Sequence, residues 1–163
     1  MNNQALRAKI NELVAANPTV ALDVAERRDA QVAAAVNDLN ITRLRSRLTT
    51  SRGIYAALGI PDAAAVMHVL NSLAAGQLPG GAGAIPAGHP LQAFVPVFAD
   101  LVPWLKPPCD GLDFGAPDLQ DVITQLQQAG LFSAAQANGL KALGTEHDTV
   151  TTSQVSEILN EGL

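Results

Sequence analysis

The sequence predicts an all-α protein, and three observations lead there. Of the 163 residues, 28 are alanine and only six are aromatic. That composition favours closely packed helices over sheets, whose strands draw on β-branched and aromatic side chains. Apolar residues recur at spacings of three and four through most of the chain, the period of a helix face. Prolines, glycines and capping hydroxyls fall where such helices would begin and end. About seven or eight short helices are expected, with one short extended segment near residues 41–48.

Leu6, Ile10, Leu13 and Val14 form the first stripe, and Asn17-Pro18 stops it. Pro18 opens a short helix to about Glu26, and Asp29 is placed to cap another through Val32 and Val36 to Leu39. Residues 41–48 fit two patterns. Ile41, Leu44 and Leu48 match a helix face, whereas Arg43, Arg45 and Arg47 alternate as on a strand. Thr42, Thr49 and Thr50 tip the segment towards the extended form. Thr50 or Ser51 then caps a helix through Ile54, Tyr55 and Leu58, ended by Gly59. Pro61 starts the next, with Val66, Val69, Leu70 and Leu73 as its stripe and Gly76 as its stop. Residues 77–89 carry four glycines and two prolines and read as a linker or long loop.

Leu91, Phe94, Val95, Phe98, Leu101, Val102 and Leu105 make a helical stripe with Pro96 and Pro103 inside it. At about 100° per residue both prolines project away from the stripe. One helix curved around its core is the expectation, with Leu101, Val102 and Leu105 buried and the prolines outward. Trp104 lies between Pro103 and Lys106. Beyond the breaker at residues 106–111, Pro117 opens a helix carrying Leu119, Val122, Ile123 and Leu126. Asp118 and Asp121 in its first turn oppose the positive helix end. Gly130 ends it, Ser133 caps another through Leu140 and Leu143, and Gly144 stops that one. Thr151 and Gln154 form a capping box before Val155, Ile158 and Leu159. The glycine-rich run thus divides the chain into an N-terminal lobe over 1–78, a linker or loop over 79–90 and a C-terminal lobe over 91–163, with packing of the two lobes as one domain as the alternative.

Charge is uneven along this order. Residues 1–52 hold eight basic and five acidic side chains, and the remainder holds two basic and ten acidic. Residues 63–99 contain no Asp, Glu, Lys or Arg, yet polar residues and the glycine-rich run cut them too short for a membrane span. The one concentration of like charge is Arg43, Arg45, Arg47 and Arg52. These four are the candidate interaction residues, a patch for acidic protein surface or for a phosphate backbone. Together with the uncharged stretch they predict head-to-tail association of copies, the arginines facing acids such as Asp110, Asp113, Asp118 and Asp121.

Enzyme chemistry finds little footing. Cys109 is the only cysteine, so neither a disulfide nor a cysteine zinc site is expected, and Asp110 beside it would raise its thiol pKa. His68, His89 and His147 share no ligand spacing. The run GGAGAIPAG has no lysine after it and no strand before it, so no phosphate loop is expected. No metal, cofactor or catalytic residue is predicted, and no secretory leader is read at the start of the chain. Residues 50–73 and 131–159 echo helix-turn-helix DNA readers. The second lacks a following helix to enter the groove, and its acidity opposes DNA. Nucleic acid is therefore not the expected partner, and a DNA-binding or regulatory role through residues 43–52 stands as the alternative.

The run QLQQAGLFSAAQANGLKALGTEHDTVTTSQVSEIL resembles small alanine-rich helical proteins encoded among the virion structural genes of tailed bacteriophages. The opening helix closed by ANP, followed by AAAVNDLN, is similar to the start of the same group, so that the resemblance covers about half of the chain. Its motifs are apolar positions, glycine stops and threonine caps, and it carries over no site residues. It implies a non-enzymatic tail, neck or capsid accessory protein, made in the host cytoplasm and located in the virion. Such a protein works by packing against copies of itself and other virion proteins.

Overall fold

The computed structural model describes residues 1–81 and 83–162. Ala82 in the expected linker and Leu163 at the end of the expected C-terminal lobe lie outside the described residues. In chain order the elements are α1 (Asn3–Ala16), α2 (Pro18–Ala25), α3 (Asp29–Asn37), β1 (Thr42–Leu44), β2 (Leu48–Thr49), α4 (Ser51–Leu58) and α5 (Ile60–Ala74). There follow α6 (Phe94–Leu101), β3 (Leu112–Asp113), α7 (Pro117–Gln128), α8 (Ala134–Ala142), β4 (Thr145–His147) and α9 (Thr152–Glu161). The protein is mainly helical, and among the described residues its strands form only two short two-stranded ribbons, β1 with β4 and, antiparallel, β2 with β3. Nine helices stand among the described residues, more than the seven or eight expected. Asn17 and Gly59 are each the end of one helix and the cap of the next, so single residues separate α1 from α2 and α4 from α5.

Two compact units divide the chain. Unit 1 comprises Met1–Arg43 and Glu146–Leu163, and unit 2 comprises Leu44–Thr145. In unit 1 the buried faces of α1 (Leu6, Ile10), α3 (Val32, Val36) and α9 (Val155, Ile158) make one core. The Asn37 side chain holds α9 in place: its Nδ2 donates to the Val150 carbonyl at 3.0 Å, and the Val150 N–H donates to its Oδ1 at 2.7 Å. A single amide thereby satisfies both backbone groups of Val150 as a neighbouring strand would. Asp29 does not cap α3 as expected. It is the first helical residue, and its carboxylate accepts from the Ser156 hydroxyl on α9 and from Arg27.

Unit 2 is built on α5, whose Val66, Leu70 and Leu73 share a core with Ile54, Phe98, Leu105, Phe114, Leu126 and Leu140. That core draws on residues from both sides of the glycine-rich run, so the structure divides the chain elsewhere than at 79–90. The run itself is folded onto the unit. Gln77 and Ala84 bridge, the Leu78 N–H donates to the Gly83 carbonyl at 3.0 Å, and Ile85 is 3% exposed in the core. One apolar residue between the glycines, Ile85, outweighs the flexibility of its neighbours, since burying it contributes about 1.5–3 kcal/mol.

The proline-bearing stripe also differs from one curved helix. It consists of a 3-10 turn at Pro90–Ala93, then α6, then a second 3-10 turn at Val102–Leu105. Pro96 sits in the first turn of α6, where its missing N–H has no helical partner to lose. Pro103 falls further on and ends the α-helical ladder. Both prolines are exposed and Val102 and Leu105 are buried, as the face assignment requires, whereas Leu101 is half-buried.

Close backbone approach sets the other side of unit 2. The Arg45 N–H donates to the Gly144 carbonyl at 2.8 Å, and the Phe114 N–H donates to the Arg47 carbonyl at 3.3 Å. A Cβ at Gly144 would strike the Phe114 backbone, and one at Gly115 the Arg45 backbone. Leu105→Ala is expected to cost about 2–5 kcal/mol, as buried leucines do, and Gly144→Ala about 1–3 kcal/mol or more through overpacking. Pro96→Ala should stay within about 0.5 kcal/mol. Urea unfolding of the three variants checks this order, and equal losses at Leu105 and Pro96 would contradict the assignment of faces.

Candidate interaction surface

The structure separates the four candidate arginines. Arg43 belongs to unit 1 and is held by acids of the same unit. Its Nε and Nη2 donate to Glu146 Oε1 at 2.9 and 2.8 Å, and Nη1 lies 3.6 Å from Asp148. Arg45, Arg47 and Arg52 belong to unit 2 and are exposed. The segment is extended as expected at Thr42–Leu44 and Leu48–Thr49, with Arg45–Arg47 between the two strands.

Asp113, expected opposite the arginines of another copy, is engaged within its own unit. Ser46 Oγ donates to its Oδ2 at 2.6 Å, and the backbone N–H groups of Arg47 and Gly115 donate to its Oδ1 at 2.8 and 2.9 Å. The Ser46 hydroxyl and the Arg47 amide hold the carboxyl below the usual carboxylate range, against burial, which pushes it up; the Gly115 amide adds a smaller lowering. The charge asymmetry of the sequence dissolves in the same way. Unit 1 holds five basic and nine acidic side chains and unit 2 holds five and six, because the acids of residues 146–161 fold back onto unit 1.

A different surface emerges in unit 2, where α6 and α7 bound an apolar groove of about 310 Å³. Val97 and Leu101 line it from α6, Leu119 and Val122 from α7, with Leu112 beneath and Asp118 at the rim. Beyond α6, Trp104 in the 3-10 turn follows Leu101 by three residues and Val97 by seven, a helical spacing that sets it towards the same side as those two. Val97 is 38% exposed and Trp104 54%. Sequence reading missed this surface because it assigned Leu101 wholly to the core stripe. The signal was present: Val97, Leu101 and Trp104 stand at i, i+4 and i+7, a second stripe beside the first.

The titratable candidates stay dispersed. His68 and His147 are exposed, and His89 Nδ1 accepts from the Leu91 N–H at 3.2 Å, capping the first 3-10 turn. Among the described residues no three His, Cys, Asp or Glu side chains group as metal ligands, and no helix is long and apolar enough to cross a membrane.

Because the Asp113 carboxyl titrates lower in the folded chain, its bonds stabilise the fold above the unfolded value of about 3.9. That contribution is lost as the pH falls through the folded value. Asp113→Asn should therefore lower the denaturant midpoint at neutral pH, and the gap from wild type should close as the pH is taken below about 4. A gap that stays constant or widens in acid would be the contrary result. No known protein family matches the chain, and no curated protein or solved structure does so either.

Proposed function

We propose that the protein is a non-enzymatic structural component of a tailed-phage particle, a tail, neck or capsid accessory protein acting by protein–protein contact. The observation that carries the contact reading is the apolar groove between α6 and α7, lined by exposed Val97, together with exposed Trp104 in the turn that continues α6. Large apolar side chains grouped on a surface mark sites where another protein packs, and tryptophan is prominent among residues that dominate such contacts. Leu44, Leu48 and Ile60 of unit 2 are exposed as well. The resemblance of residues 125–159 and of the opening segment to phage virion proteins supplies the setting. Other virion proteins and further copies of this chain are the partners, and the virion is the location. The alternative role in DNA binding loses part of its basis, since Arg43 is paired with Glu146 and Asp148.

Mass spectrometry of gradient-purified particles, produced by a phage that encodes this chain, is the test. The expected result is the protein at a fixed stoichiometry to the other virion components, retained through high-salt washing. Its absence from particles, with abundance in the infected cell, would overturn the reading. A mobility shift with duplex DNA that weakens steeply with salt would favour the alternative.

A further inference from the structure

Unit 2 carries, on one face, both a groove and a ridge that fits a groove of that kind. The groove is lined by Leu119 and Val122 of α7 and by Val97 and Leu101 of α6. Exposed Trp104 follows Val97 by seven residues and Leu101 by three, in the 3-10 turn that continues α6, a spacing that sets it towards the groove side as a ridge. Charge accompanies each. Asp118 stands at the groove rim and Asp121 one turn along α7, both exposed. Lys106 is exposed two residues beyond Trp104. Among the described residues Lys106, Asp118 and Asp121 take part in no side-chain hydrogen bond or ion pair, unlike Arg43 and Asp113, which are engaged within their own units. An exposed tryptophan followed by a cation thus continues, at helical spacing, the α6 wall of an apolar groove that exposed Asp118 helps to line.

We infer that a second copy of this chain occupies the groove, in a two-fold contact that places Trp104 of each copy between α6 and α7 of the other and Lys106 against Asp118. Ridge and groove adjoin on one face, and a two-fold axis passing between them superimposes each on its complement. The contact rests on the protein–protein reading above and deepens it, replacing the arginines with Lys106 as the basic partner. One aromatic and a few aliphatic side chains per copy make a small interface, so the dimer dissociates with a constant of about 1–100 μM. Exposed charges contribute little affinity and set the register.

Trp104 is the only tryptophan, so its emission reports this contact directly. The full-length protein is followed by tryptophan fluorescence and by sedimentation equilibrium from about 0.5 μM to about 500 μM, spanning the expected constant. Dimerisation with a concentration-dependent blue shift of emission, following one isotherm, is the expected result. Trp104→Ala, measured by sedimentation, should weaken the dimer more than about tenfold. Lys106→Glu and Asp118→Lys should each weaken it about two- to fivefold, and the double reversal should return it to within about twofold of wild type. All three positions are exposed, and an unchanged circular dichroism melt confirms that each variant folds. A monomer over the whole range overturns the inference. So does a dimer whose tryptophan emission does not shift, or one that survives Trp104→Ala, since either places the contact on another face. A monomer that is still found in purified particles leaves the proposed function standing, whereas a dimer absent from particles overturns that function and not this contact.

Discussion

The apolar face of α9 is covered mainly by helices more than a hundred residues earlier in the chain, and this constraint governs how the chain is organised. Val155 and Ile158 are fully buried, and the side chains that bury them are Leu6, Ile10, Val32 and Val36, more than a hundred residues earlier. A ten-residue helix is marginal alone in water and depends on such packing. Asn37 fixes the segment before α9 through two bonds to the Val150 backbone, and Arg7 adds a 2.8 Å bond to Glu161 near its end. Everything from Leu44 to Thr145 is consequently an excursion between two halves of unit 1, and the paired strands β1 and β4 are where the chain leaves and returns.

Within that excursion, backbone proximity at Gly115 and Gly144 does what side-chain packing does in α5. Three chain segments approach more closely than any Cβ permits, and Asp113 binds the polar groups that this approach would leave exposed or unmatched. The consequence reaches the surface. Fixing β3 and the turn after it sets where Pro117 begins α7, and α7 supplies Leu119 and Val122 to one wall of the groove. On the other wall Pro103 ends the α-helical ladder of α6, and the chain tightens into a 3-10 turn that carries the exposed Trp104.

Electrostatics follows topology more than sequence position. The excess of arginine in the first third of the chain looks like one pole of an association. Folding instead sets Arg43 against Glu146 and turns the Asp113 carboxylate towards Ser46 and two backbone amides. Arg47 and Arg52 stay exposed in unit 2, as do Lys106 and Asp118. In the proposed contact, burial of tryptophan and aliphatic surface would dominate affinity.

Local structure was legible because its causes are local. Pro18, Pro61 and Pro117 start helices, Gly59 and Gly130 stop them, Ser133 caps α8, and Thr151 with Gln154 forms a capping box that follows from spacing alone; the reciprocal bond from Gln136 to Ser133 emerged only in the structure. The extended character of residues 42–49 and the outward prolines 96 and 103 follow from the same short-range rules. Asp29 misled because Ser156, its actual partner, lies on the distant α9. The boundary placed at residues 79–90 misled because glycine content measures the freedom of the unfolded chain, and the burial of Ile85 depends on Gln92 and the unit 2 core around it. The groove was half legible: its second stripe is written in Val97, Leu101 and Trp104, but which stripe faces the core depends on where α7 packs. The sequence alone therefore determined the helices and their ends, through contacts within four residues. Only the tertiary structure decided which segments form a unit and which charges and apolar side chains stay available, since those depend on contacts between residues up to a hundred and more positions apart.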